Sequence, residues 1–125
     1  MAFPSRDWIY DARAKRVIDG DTIEMILDKG FEDFSKDRVR LLGLDTPETQ
    51  KPTKAAGDAA TNFVVNWLAD AYVGLTPDQW EWPLRIQTRK SDVFGRYLAT
   101  VWRFSDGRCL NEDLLAAGHA VVDIR

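Results

Sequence analysis

A chain of 125 residues in which 45% of the side chains are hydrophobic and 30% are charged holds enough apolar material for one domain with a core, which excludes a wholly unstructured chain. The single cysteine, Cys109, excludes an internal disulfide, and no window approaches the roughly 20 apolar residues of a membrane span. A formal net charge of −3 argues against a uniformly basic nucleic-acid binder, because phosphate contacts by Lys and Arg supply much of that affinity.

Met1-Ala2-Phe3-Pro4-Ser5-Arg6-Asp7 lacks an apolar stretch of signal-peptide length, so the chain as given is expected to be soluble and cytoplasmic, with export left open and no membrane partner. Residues 1–14 are expected to form an N-terminal arm, where disorder is admitted, and residues 15–125 the folded domain. Lys15-Arg16-Val17-Ile18 and Thr22-Ile23-Glu24-Met25-Ile26-Leu27 flank Asp19-Gly20-Asp21, and these β-rich runs around a glycine predict a bent or hairpinned strand. After a turn at Asp28-Lys29-Gly30 and a polar, irregular stretch from Phe31 to Lys36, Arg38-Val39-Arg40-Leu41-Leu42-Gly43-Leu44 alternates cations with apolar residues and then turns continuously apolar. It reads as a strand entering a core with its cations at the open end. Pro47 ends it and biases Thr46 toward an extended backbone, so Asp45-Thr46-Pro47-Glu48 makes a stiff corner.

From Lys54 to Tyr72 the residues Ala56, Ala60, Phe63, Val64, Trp67, Leu68 and Ala71 share one helical face, with Thr53 as N-cap and Gly74 as stop. Leu84-Arg85-Ile86-Gln87-Thr88 and the run from Tyr97 to Phe104 read as strands joined by a loop from Ser91 to Arg96. Asp106-Gly107 is a tight turn leading into a strand at Cys109-Leu110, with the thiol buried. Asn111 is placed to cap a short helix that Gly118 ends, and Ala120-Val121-Val122 reads as a terminal strand. Short strands with one long helix after the third predict a mainly β, α+β fold: a five-stranded OB-fold barrel with a long inserted helix and a short C-terminal helix.

Hydrolysing a phosphodiester calls for a hard cation, a base to orient water, and cationic donors where charge gathers in the transition state. Asp21, Asp45, Glu48, Arg40 and Arg96 supply those residue types. Ca²⁺ takes about six to eight oxygen ligands, so two protein carboxylates leave room for water and substrate. Each residue alone has an ordinary reading: Asp19 and Asp21 as a turn pair, Arg40 as a solvated strand-end cation, Glu48 as a helix-approach carboxylate, Arg96 as a partner of Asp92. Lys36, Arg38, Arg40, Lys51, Lys54, Arg85, Arg89, Lys90 and Arg96 hold most of the positive charge in the middle of the chain, which leaves a bipolar surface open despite the acidic total.

Val17-Ile18-Asp19-Gly20-Asp21-Thr22, then Arg40-Leu41-Leu42-Gly43-Leu44-Asp45-Thr46-Pro47-Glu48-Thr49, then Asp92-Val93-Phe94-Gly95-Arg96-Tyr97-Leu98-Ala99 resemble, in order, three signature blocks of the staphylococcal nuclease (thermonuclease) family. Asn111 to Gly118 resembles its closing helix. The resemblance implies an OB barrel with added helices and a Ca²⁺-dependent nuclease acting on DNA, RNA or both. It further implies that Asp21 and Asp45 bind Ca²⁺ through carboxylate and Thr46 through its backbone carbonyl, with Asp19 just behind them. Glu48 is implied to orient or deprotonate the attacking water, and Arg40 and Arg96 to grip the phosphate, leaving 3′-phosphate ends.

The departures lie around that centre. Ile124 stands where the family has a base-stacking tyrosine, and Phe94 where it has a tyrosine before Gly95-Arg96; base stacking is worth roughly 1–3 kcal/mol, so binding is expected to suffer more than chemistry. Phe94, Lys51 and Lys54 are the expected substrate contacts, the two lysines in a loop over the strand. Trp80 and Trp82, in a connection longer than the family's, are expected to pack on a core or rim in preference to stacking bases, and His119 to be structural. A monomer is expected. Two rivals remain: a non-catalytic binding module of the kind found in Tudor-nuclease coactivators, which typically lose the catalytic residues kept here, and an assembly component with Trp80 and Trp82 at an interface.

Overall fold

The computed structural model describes residues 8–49, 52–90 and 97–123. Strand β1 (Trp8–Asp19) turns at Gly20-Asp21 into β2 (Thr22–Asp28), the expected hairpin, and β3 (Phe34–Leu41) lies antiparallel to β2. After a turn at Leu42-Gly43 come β4 (Leu44–Asp45), α1 (Lys54–Asp70) and a single 3₁₀ turn at Pro77–Gln79. The chain continues through β5 (Leu84–Lys90), β6 (Tyr97–Arg103), α2 (Leu110–Ala116) and β7 (Val121–Val122). The strands close into a barrel in the order β1-β2-β3-β6-β5, while β4 and β7 pair separately. This is the expected OB-like α+β architecture, with the long helix after the third barrel strand and the short one near the C-terminus.

Closure depends on β1 and on a short parallel seam. The pairing of β1 with β2 shifts between Ala14 and Arg16 and again between Val17 and Asp19; such bulges bend and twist a strand. The first part of β1 can therefore also pair with β5, Trp8–Ala12 against Leu84–Thr88. The seam between β3 and β6 sets Val39–Leu41 beside Tyr97–Ala99. Alternation of side chains then fills the barrel with Ile23, Met25 and Leu27 of β2, Val39 and Leu41 of β3, Leu84 and Ile86 of β5, and Ala99 and Val101 of β6. Val64, Trp67 and Leu68 of α1 and Leu110 and Leu114 of α2 complete this core. Among the described residues, no helix is long and apolar enough to cross a membrane.

Several boundaries differ from the sequence reading, each for a physical reason. Residues 8–14, expected in the arm, are strand; their inward positions fall on Tyr10, Ala12 and Ala14, and two alanines give too faint an apolar alternation to announce it. Likewise β3 already begins at Phe34, and its start is hidden in the sequence because Ser35 and Asp37, both polar, occupy its inward-facing positions. The run from Arg38 to Leu44 is two strands, since the chain leaves the barrel at Leu42-Gly43. On α1 the exposed Ala56 gives its expected inner place to Gly57. Thr53 precedes that helix without a side-chain capping bond; its hydroxyl donates to the Glu48 carbonyl at 2.8 Å.

Asn111 is the largest revision. Cys109, buried as expected, makes only an isolated bridge to Trp102 before α2 starts at Leu110. Asn111 therefore sits inside the first turn and reaches into the barrel wall. Its Oδ1 accepts from the Val101 N–H and its Nδ2 donates to the carbonyls of Leu42 and Ala99, each at 3.0 Å. The carboxamide behaves as a borrowed peptide group, satisfying β6 just where β3 turns away. Replacing it with alanine leaves the Val101 N–H and the Leu42 carbonyl unpaired in the interior, at about 1–3 kcal/mol each. Asn111→Ala is expected to lower unfolding free energy by roughly 2–4 kcal/mol, measured by urea denaturation; a loss below about 0.5 kcal/mol contradicts this role.

Candidate active site

The β1–β2 turn, the end of β3 and the segment after β4 converge on one open cavity of about 500 Å³ lined by Asp19, Asp21, Thr22, Arg40, Asp45, Thr46, Pro47 and Glu48. Strand register brings the parts together: Thr22 pairs with Arg40, and the Leu41 N–H donates to the Asp21 carbonyl at 2.8 Å. The β4–β7 ladder sets Asp45 opposite Val121 and so fixes the strand that leads into the Thr46-Pro47-Glu48 corner.

Asp21 is the node of the site. Its Oδ1 accepts from the Thr22 hydroxyl at 3.1 Å and its Oδ2 from the Thr46 N–H at 3.3 Å. The Arg40 guanidinium lies 3.7 Å from Asp21 Oδ2 and also pairs directly with Asp45 Oδ1. One cation thus holds two carboxylates that would otherwise repel each other. Arg40 and Asp21 are 14% and 13% exposed at the side chain, against 36% for Asp45, so this pairing is only partly screened by solvent. Glu48 is exposed at the cavity edge.

Asp19 stands behind Asp21, with its Oδ1 accepting from the Asp21 N–H at 3.1 Å. Burial pushes the Asp19 carboxyl up to about 6, and the adjacent Asp21 carboxylate adds to the rise. Burial also works against charge on Asp21. A hydrogen bond with Asp19, the Thr46 N–H and the Arg40 charge outweigh it, and its carboxyl lies below the ordinary value. Neighbouring acids therefore divide their roles, one holding a proton near pH 6 and one staying ionised.

The donors here are hard oxygens. Among the described residues no three His, Cys, Asp or Glu side chains converge to hold an ion; Asp21 and Asp45, the two carboxylates gathered on Arg40, could hold one with backbone oxygen and water completing the shell. Such a set suits a hard cation and is unlike the nitrogen and sulfur ligation of zinc.

Two glycines permit this geometry: Gly20, read from sequence only as the hairpin turn, and Gly57, which carried no assigned role. A Cβ on Gly57 of α1 would lie 2.4 Å from the Glu48 carbonyl oxygen, and one on Gly20 would lie 2.8 Å from Thr46 Oγ1. Only glycine allows the helix and the hairpin turn to close on the corner. The detectable signal was Gly57 itself, since a glycine within a helix costs up to roughly 1 kcal/mol against alanine and so suggests a close approach. Thr22, also unassigned, orients Asp21.

The other expected residues fall elsewhere. Lys54 opens α1 and donates to Asp58 at 2.7 Å, so it lies on a helix and not in a loop, and it does not line the cavity. Lys51, Phe94, Arg96 and Ile124 lie outside the described residues. The His119 ring packs against Phe63 with centroids 5.1 Å apart. Trp82 stacks on Phe34 at 5.6 Å under the Arg13 guanidinium, a rim position, while Trp80 is exposed.

Comparison with known proteins gives a consistent set. A family model described as staphylococcal nuclease homologue matches residues 38–125. A thermonuclease of Staphylococcus intermedius is 45% identical over 91 residues, covering 70% of this chain and 46% of that protein. A thermonuclease of Staphylococcus hyicus is 38% identical over 108 residues, covering 84% and 54% respectively. Endonuclease YncB of Bacillus subtilis is 34% identical over 110 residues, covering 86% and 45%. The chain spans about half the length of these curated relatives.

The site makes two predictions. Because the folded Asp19 carboxyl titrates above its unfolded value near 4, its contribution to stability is fully present below pH 4 and is lost as pH rises through about 6. In chelator, Asp19→Asn is expected to match the parent protein at pH 4 and exceed it at pH 7 in urea unfolding; an equal difference at both pH values contradicts the assignment. Gly57→Ala forces the Glu48 peptide to move, and is expected to destabilise the fold by at least about 1 kcal/mol in urea unfolding, where a Gly→Ala change within a helix normally stabilises.

Proposed function

The chain belongs to the staphylococcal nuclease homologue family, and on that premise we propose that it is a Ca²⁺-dependent nuclease hydrolysing phosphodiester bonds of DNA, with RNA as the further substrate to be tested. The observation that carries this reading is that Asp21, Arg40, Asp45 and Glu48, from separate segments of the chain, line one cavity. Relatives named thermonuclease and endonuclease add support.

Asp21 and Asp45, with the Thr46 carbonyl, are the proposed Ca²⁺ ligands. An ion held by these residues would supply Lewis-acid polarisation of a phosphoryl oxygen and offset charge accumulating on it. Asp19, through the Asp21 N–H, keeps the Asp21 carboxylate in place. The exposed Glu48 carboxylate orients a water opposite the leaving 5′ oxygen and accepts its proton as the oxygen–phosphorus bond forms. The 5′ oxygen departs with the bonding pair and takes a proton from solvent, leaving a 3′-phosphate. Arg40, already between the two carboxylates, swings one N–H edge to the phosphoryl oxygens; Arg96 is assigned the same task by its motif. A planar guanidinium serves two oxygens at once where an ammonium serves as a point charge.

The test is cleavage of labelled single strands with Ca²⁺ and with chelator. Activity is expected only with Ca²⁺; equal turnover in chelator overturns the metal dependence, and no turnover by a folded protein in either overturns the nuclease reading in favour of a binding module. Arg40→Lys is expected to lower kcat about 100-fold or more, the loss of one positioned transition-state donor. Glu48→Gln is expected to lower kcat by a comparable or larger factor, about 10²–10⁴, with little change in substrate affinity.

A further inference from the structure

A second cavity, of about 310 Å³, opens at the end of the barrel where β1 begins and β2 ends, and the proposed hydrolysis makes no use of it. Trp8, Tyr10 and Tyr97 give it aromatic walls, and Lys29, Ser35 and Asp37 supply its polar groups. Trp8 is 50% exposed, yet its backbone is held by the ladder to Thr88, whose hydroxyl donates to the Trp8 carbonyl at 3.4 Å. Tyr10 and Tyr97 are partly buried against the core. Ring surface is thus open to solvent on a rigid frame, which is what a stacking platform requires.

The polar groups select the kind of ligand. The Ser35 hydroxyl donates to Asp37 Oδ2 at 2.7 Å and orients the carboxylate. A carboxylate repels phosphate but accepts readily from an exocyclic base amino group, and an ammonium such as Lys29 can meet a base carbonyl. The cavity is therefore suited to a base, not to the backbone. Val39 lines this cavity and the next residue, Arg40, lines the acidic one; successive side chains of a strand face opposite sides, so the two cavities lie on opposite faces of β3. Tyr97 pairs with Val39 across the β3–β6 seam.

We propose that this barrel mouth is a nucleobase subsite for single-stranded nucleic acid. It stacks a base of the strand, on the face of β3 away from the acidic cavity, on Trp8, Tyr10 and Tyr97, and Asp37 accepts from the amino group of that base. The substrate class rests on the nuclease reading, and the test separates the two.

Binding of fluorescein-labelled deoxycytidine and thymidine octamers to the full chain is followed by anisotropy in chelator, and cleavage of the same strands is followed with Ca²⁺. Cytosine carries the amino group and thymine lacks it. The cytidine octamer is expected to bind several-fold tighter. Trp8→Ala is expected to weaken it on the order of tenfold, as for one lost stacked base, with Trp8→Tyr restoring most of the affinity. Asp37→Asn is expected to bring the two octamers together. Unchanged binding in both Trp8→Ala and Tyr97→Ala overturns the subsite even when cleavage is intact, and equal binding of the two octamers by the parent protein overturns the Asp37 assignment. Binding that depends on Trp8 and Asp37 without cleavage overturns the nuclease reading and leaves the subsite standing; no binding by the parent protein overturns the subsite.

Discussion

The Asp21 carboxylate ties together the pieces on which the site depends. Its oxygens engage Thr22 beside it, the Thr46 N–H after β4, and Arg40 at the end of β3. A half-buried carboxylate is costly unless its lone pairs are used, and here they are used to join segments far apart in the chain. Arg40 carries the link on to Asp45, so like charges are kept together by the residue proposed to grip the phosphate. Binding chemistry and local folding draw on the same contacts.

Barrel closure supplies the rigidity behind that node. Bulges bend β1 so that it serves both β2 and β5, and the seam between β3 and β6 places Arg40 beside Leu98. Where β3 leaves the barrel, the Asn111 amide takes over its hydrogen bonds and holds the Leu42 carbonyl. From the other side α1 presses Gly57 against the Glu48 carbonyl, while Thr53 donates to that same oxygen. The exposed Glu48, proposed as the base, thereby gains fixed backbone support, which catalytic positioning needs.

Charge is partitioned in keeping with this layout. The total of −3 conceals an acidic cavity whose central cation is Arg40, with Asp19 protonating near pH 6 behind an ionised Asp21. Away from it, Arg103 lies over the Trp67 ring at 4.6 Å and chelates Asp106, while Arg108 chelates Asp113, which also accepts from the Trp67 indole. Those arginines serve the packing of α1 on α2, so the cation count by itself says little about how much charge meets a nucleic acid.

Much was legible in the sequence because the signals are local. Glycine at the hairpin, Pro47 at the corner and the apolar face of α1 specify the hairpin, the stiff turn and the helix through backbone sterics and burial, and the order of charged motifs specifies which acids and arginines belong together. What sequence left open are relations between distant residues of similar appearance. The β1 arm looked unstructured because two small alanines face inward, and Asn111 looked like a cap because an amide reaching across to Val101 has no local signature. Gly57 looked like a weak helix position until Glu48 lay against it. Sequence by itself determined the residue types and the local turns of this protein; tertiary structure decided which backbones touch, because only closing the barrel sets the distances at which Asp21, Arg40, Asp45 and Glu48 act on one volume.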